Sequence, residues 1–185
     1  MRPINNYDAI KANDGTFEKP SNGGYILEIV GVYDVPMDEK TGKGDYLKIE
    51  YDIADGDFRG YYQKQYERFG GKWLANFVRS YKETALGMFK HFTNCVEESN
   101  VGFRWNWEER ELVGCRFGAV MQEEEYEKQN GSIGTRLVVK EVKTIAQIRE
   151  GDFKAPITKR LDGRADDVNG FSVVENDAES GTLPF

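Results

Sequence analysis

The chain has 185 residues, 39% hydrophobic and 13% aromatic, enough for one domain with a core plus a tail. Its net charge of −7 argues against nucleic acid, because phosphate contacts need Lys and Arg. That average hides an asymmetry: residues 166–185 carry −5, whereas 59–90 set Arg59, Lys64, Arg68, Lys72, Arg79, Lys82 and Lys90 against only Glu67 and Glu83, or +5.

Residues 1–23 read as a flexible arm of turn-forming pairs such as Asn13-Asp14-Gly15. Order begins at "YILEIVGVYDV", where Ile26, Val30 and Val32 extend one face and Leu27 and Ile29 the other, as in a central strand. A charged loop over 37–45 follows. "DYLKIEYDI" then alternates, with Leu47, Ile49, Tyr51 and Ile53 on one side and Tyr46, Lys48, Glu50 and Asp52 on the other, a half-buried strand. The Asp-Gly pair in "ADGD" (54–57) suits a hairpin, so 58–67 ("FRGYYQKQYE") is the third strand candidate.

Ser80 and Glu83 form a capping-box pattern ahead of a helix. Its stripe is Ala85, Met88, Phe89, Phe92, Cys95 and Val96, at helical spacing. A fourth strand is expected over 112–122, with Val113, Cys115, Phe117, Ala119 and Met121 on one face, and a fifth over 133–143. Residues 144–151 suit one helical turn, and 162–185, polar and acidic, read as a disordered tail. The expected fold is therefore mainly β: a five-stranded antiparallel OB-fold barrel over 24–161 with one helix between strands three and four.

Enzyme chemistry finds little support. The single His91 lies inside the helix pattern without a second His for a metal pair. The carboxylates of "EEEYE" (123–127) would alternate between opposite faces of a strand, so they are read as a solvated charge run and not as the metal site of a nuclease. Cys95 and Cys115 form no CxxC and are expected to be buried free thiols. No cofactor and no metal are expected. No apolar run approaches about 18 residues, and no secretory apolar core is present, so no membrane association is expected and a cytoplasmic location is.

The positive signal lies between 58 and 81, where basic residues interleave with aromatic ones. Single-stranded nucleic acid needs that mixture: cations follow the backbone and flat rings stack on bases, with no base code required. Tyr61, Tyr62 and Trp73 are the candidate exposed rings, beside Lys64, Arg68 and Lys72. Tyr46 and Lys48, Arg104 and Trp105, and Arg136 and Lys140 are candidate extensions of the same surface. At the other end, the apolar Leu183, Pro184 and Phe185 close an acidic run, a form suited to a pocket on a partner protein. The alternative is an OB-fold protein–protein interaction module without DNA affinity.

The tip Leu183-Pro184-Phe185 resembles the C-terminus of bacterial single-stranded DNA-binding protein, although Ser180, Gly181 and Thr182 stand where that family has Asp residues. The body is similar to single-stranded DNA-binding proteins from the replication or recombination modules of phages of Gram-positive bacteria. The stretches that carry the likeness are "GGYILEIVGVYDVP", "LKIEYDIADGDFRG", "ALGMFKHFTNCVEESNVGFRW", "EEEYEKQNGSIGTRL" and "IREGDFKAPITKRL". The resemblance implies an OB-fold and sequence-independent binding and protection of single-stranded DNA. It also implies a homodimer in the bacterial host cytoplasm and a tail that recruits replication or recombination proteins.

Overall fold

A computed structural model describes residues 18–161. Most of the expected arm, and the acidic tail with Leu183, Pro184 and Phe185, lie outside the described residues. The elements in chain order are β1 (Gly23–Val35), β2 (Tyr46–Ile53), α1 (Tyr61–Phe69), β3 (Asn76–Ser80), α2 (Leu86–Ser99), β4 (Arg116–Glu127), β5 (Ile133–Lys143) and α3 (Ile145–Glu150). The five strands form one antiparallel sheet in the order β3-β2-β1-β4-β5. Its end strands β3 and β5 come within contact distance of each other, but no ladder joins them and the sheet is not closed.

Register puts the apolar beat of each strand on one side. Leu47, Ile49, Tyr51 and Ile53 of β2 face the core as the alternation requires. Ile49 sits opposite Val32 of β1 and Phe77 of β3. Strand β1 departs from simple alternation. A register shift between Ile29 and Gly31 brings Val32 to the side of Leu27 and Ile29, and leaves Val30 exposed. The helix α2 covers this side with Phe89, Phe92, Cys95 and Val96. Phe92 is fully buried, with its ring 5.6 Å from Phe77 and 5.7 Å from Phe117.

Arg79 also points inward. Its guanidinium lies over the rings of Phe77 (4.6 Å) and Phe92 (5.8 Å), and burial pulls its pKa down to about 10. On the opposite side of the sheet, α3 packs against β1 and β4. Gly118 permits this, because a side chain there would meet the Thr144 carbonyl and Ile148. Residues 158–161 add to the free edge of β4, with Lys159 N–H donating to Glu123 O and Lys159 O accepting from Glu125 N–H.

Several local expectations are corrected. The stretch 58–67 is not a strand: it leads into the helix α1, and β3 comes later. The Asp-Gly turn therefore joins β2 to a helix and not to a hairpin partner. The helix forms because Asp52, buried at the end of β2, accepts the N–H groups of Tyr62 (2.9 Å) and Gln63 (3.0 Å), two donors that a helix start leaves unpaired. Gly60 supplies the left-handed turn before it (φ 69°).

The Ser80–Glu83 capping box does not form. Ser80 closes β3, and a short 3-10 turn, Glu83–Ala85, precedes α2. A capping box is present at α3 instead, where Thr144 and Gln147 bond reciprocally. Met88 stands at the solvent margin of α2, 62% exposed. Val113 and Cys115 precede β4, which starts at Arg116, so Val113 is exposed and Cys115 only half-buried. Leu112, in the turn Glu109–Leu112, takes the buried place.

Candidate nucleic-acid interface

The first turn of α1 is apolar inward, and this decides what Tyr61 and Tyr62 can do. Tyr62 meets Tyr51 edge-on at 5.7 Å, and Tyr61 meets Tyr62 at 5.1 Å. Both are buried, at 8% and 9% exposure. The expectation that they are freely exposed rings is corrected: both pack into the core, and only a small part of each reaches the surface. Burial raises the pKa of both hydroxyls, for Tyr62 with the neighbouring Tyr51 adding to it, so they stay protonated. Trp73 is half-buried. Its indole N–H donates to the Tyr51 carbonyl at 3.1 Å, which fixes the ring, and Tyr66 lies 5.8 Å away.

Tyr61 and Tyr62 both line a groove between α1 and the β4–β5 hairpin. Its wider part is a cavity of about 270 Å³ bounded by Tyr61, Tyr62, Gln65, Leu74, Glu123, Tyr126, Arg136 and Leu137, with Lys19 and Pro20 at one lip. A smaller cavity of about 60 Å³ continues it past Tyr66, Phe69, Lys72 and Trp73. Tyr62, Gln65 and Leu74 line both. Five of the candidate residues, separated by up to 75 positions (Tyr61, Tyr62, Lys72, Trp73 and Arg136), line one groove.

The other candidates lie around or away from it. Lys64 and Arg68 are on the exposed side of α1, Lys64 donating to the Arg59 carbonyl and Arg68 lying over the Phe69 ring at 5.3 Å. Arg136 is held by Glu124 at 3.3 Å and lies 5.8 Å from the Tyr126 ring. Lys140 is exposed on β5, opposite the irregular step between Val120 and Met121.

Tyr46 and Lys48 occupy the face of β2 away from the core. There Lys48 pairs with Glu50 at 2.6 Å and lies over Tyr33 at 5.3 Å, with Val78 opposite on β3. Arg104 and Trp105 belong to neither place. Trp105 lines a separate apolar groove beside α2, with Leu86, Phe89 and the exposed Trp107, which shares no lining residue with the first two cavities. Arg104 is exposed beyond its end and turns one guanidinium nitrogen back to the Phe103 carbonyl.

Among the lining residues that sequence reasoning did not assign to the site are Phe69 (71% exposed), Tyr66, Leu74 and Tyr126, and also Gln65 and Glu123. A signal for the first two was present. Tyr61, Tyr62, Gln65, Tyr66 and Phe69 fall at i, i+1, i+4, i+5 and i+8, a helical stripe and not a strand alternation. Tyr126 carried no signal, being one ring inside an acidic run. Glu124 of that run is paired with both Arg136 and Lys159. Among the described residues no group of three or more His, Cys, Asp or Glu side chains could hold a metal ion. Nor is any helix among them long and apolar enough to cross a membrane. No protein-family model matches the chain, and no curated protein matches it in sequence.

Proposed function

We propose that this chain binds single-stranded DNA along the groove between α1 and the β4–β5 hairpin, without turnover and without a fixed sequence motif. The observation that carries the reading is the continuity of the two cavities, which places Tyr66, Phe69 and Trp73 beside Lys72 at one end and Arg136 with Lys19 at the other. Rings stack on unpaired bases and cations meet the phosphates between them. The fold reading that goes with it is an OB-fold. Strand order, the position of α2 between β3 and β4, and the approach of β3 to β5 support it. The tip Leu183-Pro184-Phe185 would then recruit a partner protein of replication or recombination, and a homodimer in a bacterial host cytoplasm belongs to the same proposal.

The test is fluorescence anisotropy of a labelled dT oligomer with the full chain. Three phosphates met by Lys19, Lys72 and Arg136 imply a slope of about −2 in log affinity against log salt, a loss of roughly fortyfold between about 50 and about 300 mM salt. Phe69→Ala removes an exposed ring that the fold does not need and should cost about 1–3 kcal/mol of binding. Affinity indifferent to salt and to Phe69→Ala would reject the groove. The second reading, a protein-binding module without DNA affinity, draws on the apolar groove of Leu86, Phe89, Trp105 and Trp107 beside α2. It predicts no oligonucleotide binding at any salt.

A further inference from the structure

The wider cavity holds a residue that a phosphate-binding groove does not explain. Glu123 lines it, on the side of β4 that continues the core face of Met121. Phosphates repel a carboxylate, so Glu123 works against a purely electrostatic groove. Neither cation lining the cavity pairs with it: Arg136 bonds Glu124, and among the described residues Glu123 takes part in no ion pair with Lys19 or any other cation. Its backbone N–H is held by Asn22 at 2.6 Å, and one carboxylate oxygen accepts the Thr158 hydroxyl at 3.5 Å, which orients the side chain and leaves the other oxygen as an acceptor. Gln65 on the facing helix adds to this. Its NH₂ donates to the Tyr61 hydroxyl at 2.8 Å, so its carbonyl remains as a second acceptor on the wall.

Tyr61, Tyr62, Leu74 and Leu137 make most of the remaining wall apolar, with Lys19, Thr135 and Arg136 as the other polar lining residues. At about 270 Å³ it falls just below the range of roughly 300–1,000 Å³ for drug-sized ligands, which suits one heterocyclic ring. Where Gln65 and Glu123 set acceptors on the wall, the slot calls for a planar ligand that turns donors on its edge toward them. Cytosine carries its N4 amino group and adenine its N6 amino group, whereas thymine presents O4 in the same place and would set acceptor against acceptor.

We infer that the cavity between Gln65 and Glu123 seats one base of the bound strand and reads its exocyclic amino group, so that cytosine and adenine are bound in preference to thymine. This rests on the single-strand reading of the groove and adds a graded preference to it, with Glu123 as the discriminating acceptor. Because the contact is a hydrogen bond and not a counterion exchange, the preference persists as salt rises while overall affinity falls.

The experiment is competition anisotropy with the full chain. Oligo-dT is compared with oligomers of the same length in which every third dT is replaced by dC or by dA, at two salt concentrations. The wild-type chain should favour the dC- and dA-containing strands by about five- to tenfold, the lower end of what one good base contact gives. Glu123→Gln keeps the size and the backbone bonds but offers a donor beside its acceptor. It should bring the ratio to within about twofold of unity, mainly by raising affinity for dT. Equal binding of all three strands by the wild-type chain overturns the base reading while leaving the groove intact. So does a Glu123→Gln chain that keeps the wild-type ratio. Absence of binding to every strand overturns the single-strand reading and this inference together.

Discussion

The helix α1 carries five groove residues and hangs on one carboxylate from another element. Asp52 is 7% exposed, and its oxygens accept three backbone N–H groups: Ile53 at 2.8 Å, Tyr62 at 2.9 Å and Gln63 at 3.0 Å. The residue in the N-cap position, Gly60, has no side chain to do this. Asp52→Ala therefore removes the cap altogether. Losing a capping side chain costs about 0.5–2 kcal/mol. Leaving the buried Tyr62 N–H without an acceptor adds about 1–3 kcal/mol, and the favourable placement of a negative charge at a helix start is lost as well. Allowing for partial relaxation, we expect about 2–4 kcal/mol. For a chain of this length that lowers the melting temperature by roughly 5–15 °C.

The assay is thermal and urea unfolding followed by circular dichroism. Asp52→Asn serves as a milder companion that keeps one acceptor, at about half the cost. The fraying should also reach the groove: oligonucleotide affinity should fall below the melting range, because Tyr62, Gln65, Tyr66 and Phe69 move with α1. If Asp52→Ala melts within about 2 °C of the parent, the helix is held by the packing of Tyr61 and Tyr62 and not by its cap, and the account given for α1 fails.

A further pair of expectations concerns the core beneath. Phe92→Ala deletes a fully buried ring in contact with Phe77, Phe117 and the Arg79 guanidinium, and should cost about 3–5 kcal/mol by chemical denaturation; a loss under about 1 kcal/mol would mean that α2 does not seat as described. Burial pushes the Cys95 thiol up to about 11, with Glu98 adding to it, from a usual value of 9.0. A group that holds its proton more tightly when folded contributes stability that is fully present below about pH 9 and declines as pH rises toward 11. Native-state alkylation at pH 8 should therefore reach the half-buried Cys115 first and Cys95 only on unfolding, read by mass spectrometry; equal rates would contradict the packing of α2.

Much of the fold was legible along the chain, for one reason. A half-buried strand writes its environment as alternation, and three of the five strands were placed by it. Residues 46–53, the run from Phe117 to Met121 and the span 133–143 appear where their patterns place them. The stripe of Phe89, Phe92, Cys95 and Val96 likewise announces α2 and its buried side. The readings that failed share a different cause. The cap of α1 comes from Asp52, nine residues before the helix begins, so the local signal for a helix start was missing while tyrosines suggested a strand. The Ser80–Glu83 pattern had the right letters, but Ser80 was already spent as the last pair of β3, opposite Tyr46.

The candidate site divides the same way. Composition alone located the surplus of rings and cations between 58 and 81, because charge and aromatic content are local sums over the chain. Which ring faces solvent is not a local quantity. Tyr62 is packed against Tyr51 of β2 and Tyr61 against Tyr62 and Phe58, whereas Phe69, two turns along the same helix, kept most of its surface. The acidic run of β4 became one wall of the groove only because β4 and β5 extend as a hairpin opposite α1, which set Glu123 and Arg136 across from Gln65. Alternation and composition belong to neighbouring residues and survive in any reading of the chain. The groove belongs to pairs more than fifty residues apart, and only the packed sheet brings them together.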